Sequence, residues 1–140
     1  MNATADALTF VPTIARGRLW AGRIMTGLVS LFLLFDCLVK LLVLAPAVNG
    51  SLELGYPAST VFPIGVVLAI CLALYLIPRT AVLGAVLLTG YLGGAIATHV
   101  RVGNPLFSHT LFPIYVAALI WGGLYLRDSR VRALLARADA

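Results

Sequence analysis

The chain has 140 residues, of which 61% are hydrophobic and 11% charged, against roughly 45–50% and about 25% in a soluble domain. So few charges cannot cover so much apolar surface, which excludes a soluble enzyme, a disordered segment and a disulfide-rich secreted scaffold. The composition predicts an all-α integral membrane protein. At ~20 residues per span, the length accommodates a bundle of about four transmembrane helices.

Residues 1–19 read as a cytoplasmic lead that ends in Arg16-Gly17-Arg18, with an interfacial segment over Leu8–Ile14. The first span is expected over 20–44, from Trp20 to the stop at Pro46. A signal peptide has an apolar core of only about 7–15 residues. This run is longer and carries Asp36 and Lys40 in its second half, so it reads as an uncleaved span. Residues 45–60 read as a loop, with Asn49-Gly50 and Leu54-Gly55-Tyr56-Pro57 as turn formers. The second span covers 61–77, with Pro63 tolerated in its first turn, and Pro78-Arg79 turns the chain tightly into a third span over 80–99. After a polar connection at 100–104, Asn104 as N-cap and Pro105 as first helical residue start a fourth span over 105–126. A basic cytoplasmic tail over 127–140 closes the chain.

Ten Lys and Arg against five Asp and Glu give a net charge of +5. The basic residues sit at the ends of apolar runs, without the aromatic interleaving of a nucleic-acid surface, so nucleic acid is not an expected partner and the lipid bilayer is. Arg16, Arg18, Arg23, Arg79, Arg127, Arg130, Arg132 and Arg137 fall at one end of the bundle, Lys40 and Arg101 at the other. The positive-inside rule then places both termini in the cytoplasm.

Cys37 and Cys71 form no C-x-x-C pair. Their depths differ by roughly 9 Å along the helices, beyond the ~7 Å Cα limit for a disulfide, so both read as buried small side chains. Trp20, Trp121, Tyr75 and Tyr125 read as interfacial anchors. Gly90-x-x-x-Gly94 and Ala118-x-x-x-Gly122 are small-residue faces for packing span against span, or for a homo-oligomer seam.

Charged groups inside a span are expensive and by default mark a site or a partner. Asp36 and Lys40, spaced i, i+4, share a helix face and can neutralise each other. The pair is either an anchor near the interface, or Asp36 handles protons or contacts a ligand. Glu53, Tyr56, His99, Arg101, Asn104, Ser108 and His109 fall at the same end, whereas the other half of the bundle offers little beyond Thr26 and Ser30. This asymmetry predicts a polar pocket in the outer leaflet that holds the head group of a lipophilic ligand. Asp36, His99 and His109 are the candidates for exchanging protons with it. Lys40, Glu53, Tyr56, Arg101, Asn104 and Ser108 are the candidate ligand contacts, with Arg101 suited to an anionic group. No H-x-x-x-H or H-E-x-x-H spacing accompanies the two histidines, so no metal site is assigned. A Gly-rich phosphate loop and a nucleophile elbow are also missing from the sequence, and neither histidine is deep enough for haem.

The string from His99-Val100-Arg101-Val102-Gly103-Asn104-Pro105 through Ser108-His109, with Phe112-Pro113, Trp121-Gly122-Gly123-Leu124-Tyr125-Leu126-Arg127-Asp128, Leu54-Gly55-Tyr56-Pro57 and Tyr75-Leu76-Ile77-Pro78-Arg79-Thr80, resembles the DoxX-like family of small four-span membrane proteins. The resemblance runs over about residues 20–130 and implies a four-helix membrane bundle. The family name descends from subunits of a thiosulfate:quinone oxidoreductase, and other relatives are linked to oxidative-stress membrane complexes. Quinone is therefore the ligand that the resemblance implies. The expected location is a bacterial cytoplasmic (inner) membrane. With no flavin, haem or iron–sulfur signature in the sequence, electron transfer requires a partner oxidoreductase. Two other readings stand beside this one: a non-enzymatic assembly subunit docking another membrane protein, and a small transporter or channel built by oligomerisation.

Overall fold

The computed structural model describes residues 16–136. The interfacial segment expected over Leu8–Ile14 and the tail residue Arg137 lie outside the described residues. In chain order the helices are α1 (Arg16–Leu41), α2 (Ala45–Glu53), α3 (Val61–Leu76), α4 (Ala81–Arg101), α5 (Phe112–Arg127) and α6 (Ser129–Ala136). A 3-10 turn at Ala58–Thr60 leads into α3, and a π turn at Leu106–Thr110 precedes α5. With those turns included, four helices are long and apolar enough to cross a membrane: Arg16–Leu41, Ala58–Leu76, Ala81–Arg101 and Leu106–Arg127.

The four spans alternate in direction and close into a ring, in which α1 packs on α3, α3 on α4, α4 on α5 and α5 back on α1. The inward stripe of α1 is Gly22, Val29, Leu33 and Cys37, a helical spacing that leaves Leu31 and Phe35 more than two-thirds exposed. In a bilayer that exposure is the low-energy arrangement, because lipid tails are as apolar as leucine. Leu68 and Leu72 of α3, Leu88 of α4 and Ile120 and Leu124 of α5 complete the core.

Glycines set how closely the helices approach. A Cβ at Gly84 would run into the Tyr75 backbone, whose Cα is 2.5 Å away. At Gly65 it would meet Lys40 Cβ at 2.8 Å, and at Gly22 it would meet Leu126 Cβ at 2.9 Å. Gly90 and Gly94 have nothing within 4 Å of a built Cβ. The expected packing of Gly90 and Gly94 against the neighbouring span is therefore corrected. Ala118 is exposed, and Gly122 meets only the flexible end of Met25. The contacts are carried instead by Gly22, Gly65, Gly84 and Gly123.

Tyr75 is also reassigned. Its side chain is fully buried rather than interfacial, and its hydroxyl donates to the Ile120 carbonyl at 3.1 Å. Both cysteines are free and buried, with the Cys37 thiol 3.6 Å from the Gly65 carbonyl.

Three helices end at the far side of the bundle from the termini in the same way. Leu44, Tyr56 and Asn104 each donate their backbone N–H to the carbonyl five residues earlier, and Val43, Gly55 and Gly103 to the carbonyl three earlier. This is the Schellman pattern, which requires a left-handed residue. Gly55 at φ 78° and Gly103 at φ 71° supply it without cost. Val43 adopts φ 50°, a strained conformation for a β-branched residue.

Two local expectations fail here. Asn49-Gly50 is inside α2 rather than in a turn, because Pro46 starts a helix that continues to the cap at Gly55. Asn104 does not cap the fourth span: it closes the Schellman motif of α4, Pro105 is extended at ψ 134°, and the regular helix begins only at Phe112.

At the other end, Asp128 breaks from α5 and caps α6 by accepting the Arg130 backbone N–H at 2.8 Å. Arg130 also bonds the Pro78 carbonyl at 2.8 Å, tying α6 to the α3–α4 turn. Arg132 covers two carbonyls at the end of α5, those of Tyr125 and Leu126.

Candidate functional site

The ring of helices is not filled at the end away from the termini. A cavity of about 510 Å³ opens there between α1, α4 and α5, roofed by α2 and residues 54–56. Phe32, Leu33, Ile64, Leu92, Pro113 and Val116 make its walls apolar. Gly90 and Gly94 belong to the same wall, and their missing side chains are part of the open volume.

The polar groups that reach the cavity come from three separate stretches of sequence. Asp36 and Lys40 of α1 form an ion pair, with side chains 34% and 19% exposed respectively. Tyr56, after α2, shares a 2.9 Å hydrogen bond with Thr98 of α4. The Thr98 hydroxyl also bonds the Gly94 carbonyl at 2.9 Å. His99 is held by Asn104, whose side-chain nitrogen lies 2.8 Å from His99 Nδ1. With that amide donating, Nδ1 accepts and the ring proton sits on Nε2.

Of the residues singled out from the sequence, Asp36, Lys40, Tyr56 and His99 line the cavity. Arg101 and Asn104 stand behind them. The Arg101 guanidinium lies over the Tyr56 ring, 5.7 Å from its centre, and donates to the Leu54 carbonyl at 2.5 Å. It thus holds the roof. His109 is outside the lining, with its ring centre 5.8 Å from that of His99 and Ser108 Oγ at 2.7 Å from its Nδ1. Glu53 is exposed and does not reach the cavity.

Three polar lining residues escaped the sequence reading, Ser51, Tyr91 and Thr98. Tyr91 and Thr98 sit on α4 with Leu88 and Ala95 at helical spacing, and tracing that stripe back from His99 would have found them. Among the described residues the Tyr91 hydroxyl has no hydrogen-bond partner. No group of three His, Cys, Asp or Glu side chains placed to hold a metal occurs among the described residues.

Four apolar helices around a largely apolar cavity with a few polar groups at one end define a small integral membrane bundle protein. The model of the DoxX-like family matches residues 24–123, and the chain belongs to that family. Every residue lining the cavity falls within the matched segment. No curated protein and no solved structure matches the chain.

Proposed function

We propose that the protein is a membrane-embedded binding subunit for a neutral lipophilic ligand with a polar head, with quinone as the leading case. The observation that carries this reading is the cavity, whose volume of about 510 Å³ lies within the roughly 300–1,000 Å³ of small-molecule sites. Its charge supports a neutral head group. Asp36 is answered by Lys40, so no net fixed charge is left over to hold an ion. The Tyr91 hydroxyl and His99 Nε2–H are the donors for a carbonyl oxygen, and the apolar wall takes the ring and tail. Asp36 and His99, which line the cavity, are the candidates for proton exchange with the ligand, and His109 lies behind His99, its ring centre 5.8 Å away. Electrons would come from a partner oxidoreductase. The excess of arginines at the opposite end supports a cavity in the outer leaflet, in a bacterial inner membrane.

The test fills the cavity without touching its polar groups. Gly90→Leu and Gly94→Leu put a side chain into open space, so the bundle stays folded while the volume shrinks. Mass spectrometry of small molecules co-purifying in mild detergent is expected to find near-stoichiometric quinone in the natural protein. The Gly90→Leu, Gly94→Leu double variant is expected to lose it, with unchanged thermal stability. Equal retention by both proteins, or phospholipid alone in both, overturns the ligand reading. A reproducible co-purifying protein in that case favours the assembly-subunit reading.

A further inference from the structure

A second cavity, of about 350 Å³, lies at the end of the bundle that carries both termini. It is walled by Leu19 and Arg23 of α1, by Pro78 in the α3–α4 turn, and by Arg127, Asp128 and Arg130 at the α5–α6 junction. Three guanidinium groups around one small cleft repel one another, and only Arg130 is neutralised. It binds both carboxylate oxygens of Asp128, and together they hold α6 in place.

Neither of the other two arginines forms an ion pair among the described residues, although Arg127 is near enough to Asp128 to help hold its carboxyl down. Arg23 has an aromatic neighbour, with its guanidinium 5.7 Å from the centre of the Trp20 ring. Arg127 lies 5.5 Å from the centre of the Tyr75 ring, and its Nε and Nη2 are buried with no hydrogen-bond acceptor. Those two nitrogens form one edge of the guanidinium, the edge that binds an oxyanion through two parallel hydrogen bonds. Stacking against the face of a ring fixes the plane of a guanidinium but leaves its N–H groups unsatisfied.

We infer that this cleft binds a phosphate-type oxyanion, held by Arg127 and Arg23 and positioned at the lipid–water boundary. Its depth fits a phospholipid head group. Leu19 and Pro78 offer apolar surface beside the arginines, and the exposed Trp20 marks the interface. Asp128 does not oppose the anion, because Arg130 already neutralises it. Most of the cleft, unlike the larger cavity, lies outside residues 24–123: only Pro78 and Ala81 fall within the matched segment.

The experiment is native mass spectrometry of the full chain in mild detergent, titrated with phosphatidylglycerol, phosphatidylcholine or inorganic phosphate. Arg127→Gln and Arg23→Gln are compared with Arg79→Gln, which removes the same charge from the same end but outside the cleft. Each cleft variant is expected to weaken phosphatidylglycerol binding by about fivefold or more, while Arg79→Gln changes it by less than about twofold. Arg23 is exposed, so its variant tests the site even if Arg127→Gln fails to fold. Inorganic phosphate binding with the same arginine dependence also supports the site and identifies the source as a soluble anion. Equal weakening by all three variants assigns the effect to diffuse surface charge and overturns the inference. So does phosphatidylcholine binding as tightly as phosphatidylglycerol, or no saturable binding by any probe.

Discussion

One methyl group separates two kinds of glycine on α4. Gly84→Ala drives a Cβ into the Tyr75 backbone, an obstacle that cannot rotate away, and is expected to cost about 3 kcal/mol. Gly90→Ala places the same methyl in open space and is expected to stay within about 1 kcal/mol of the natural protein. Because Cys37 and Cys71 are free and buried, thiol labelling during thermal unfolding in detergent reads both variants; similar melting temperatures would refute the packing assignment. The Asp36–Lys40 pair gives a second residue-level test. Lys40→Met leaves the carboxylate without its partner and is expected to destabilise by about 1–3 kcal/mol. The figure is below that of a fully buried pair, because Asp36 is still one-third exposed toward the cavity. Adding Asp36→Leu is expected to restore most of the stability without restoring ligand. A double variant as unstable as Lys40→Met shows that the pair does more than neutralise itself.

At the scale of the element, α6 is held by buried Val131, by Arg132 and by one ionised side chain, Asp128, whose share is open to titration. Hydrogen bonds from Arg130 hold the Asp128 carboxyl below the usual carboxylate range. A depressed folded-state pKa stabilises the ionised form. Its contribution is therefore complete above the unfolded value, about 3.9, and is lost as pH falls through the lower folded value. A fluorophore on Leu135→Cys, in a background without Cys37 and Cys71, is expected to show α6 held at neutral pH and released in acid. Asp128→Asn keeps the cap but not the ion pair, so its anisotropy is expected to start lower and show no acid transition; an unchanged acid transition would place the titrating group elsewhere. Short elements were also where the sequence was hardest to read. Asn49-Gly50 has the composition of a turn, yet the decision lies with Pro46 before it and Gly55 after it. Asn104 has the composition of an N-cap, but its position five residues after His99 makes it the closing residue of α4, and its amide turns back to the imidazole.

For the whole molecule, the four spans were legible because a bilayer imposes length and apolarity on each of them independently. The convergence of Asp36, Tyr56 and His99 was not. Depth along a helix follows from residue count, whereas rotation about its axis depends on Gly22, Gly65 and Gly84 meeting particular backbones. Tyr75 was placed at the correct level but the wrong face for that reason. Orientation across the membrane is a property of the entire charge distribution, with Arg16, Arg18, Arg23, Arg79, Arg127, Arg130 and Arg132 at one end against Lys40 and Arg101 at the other. Lys40 is paired with Asp36 at one end and Arg130 with Asp128 at the other, so the contrast survives the pairing. The end carrying the termini is therefore expected to face the cytoplasm. Single cysteines at Glu53 and Arg79, both exposed and at opposite ends, test this in sealed cells with a membrane-impermeant thiol reagent. Glu53→Cys is expected to label from outside, and Arg79→Cys only after permeabilisation. The reverse pattern would place the 510 Å³ cavity at the cytoplasmic face, and any ligand would then enter and exchange protons there.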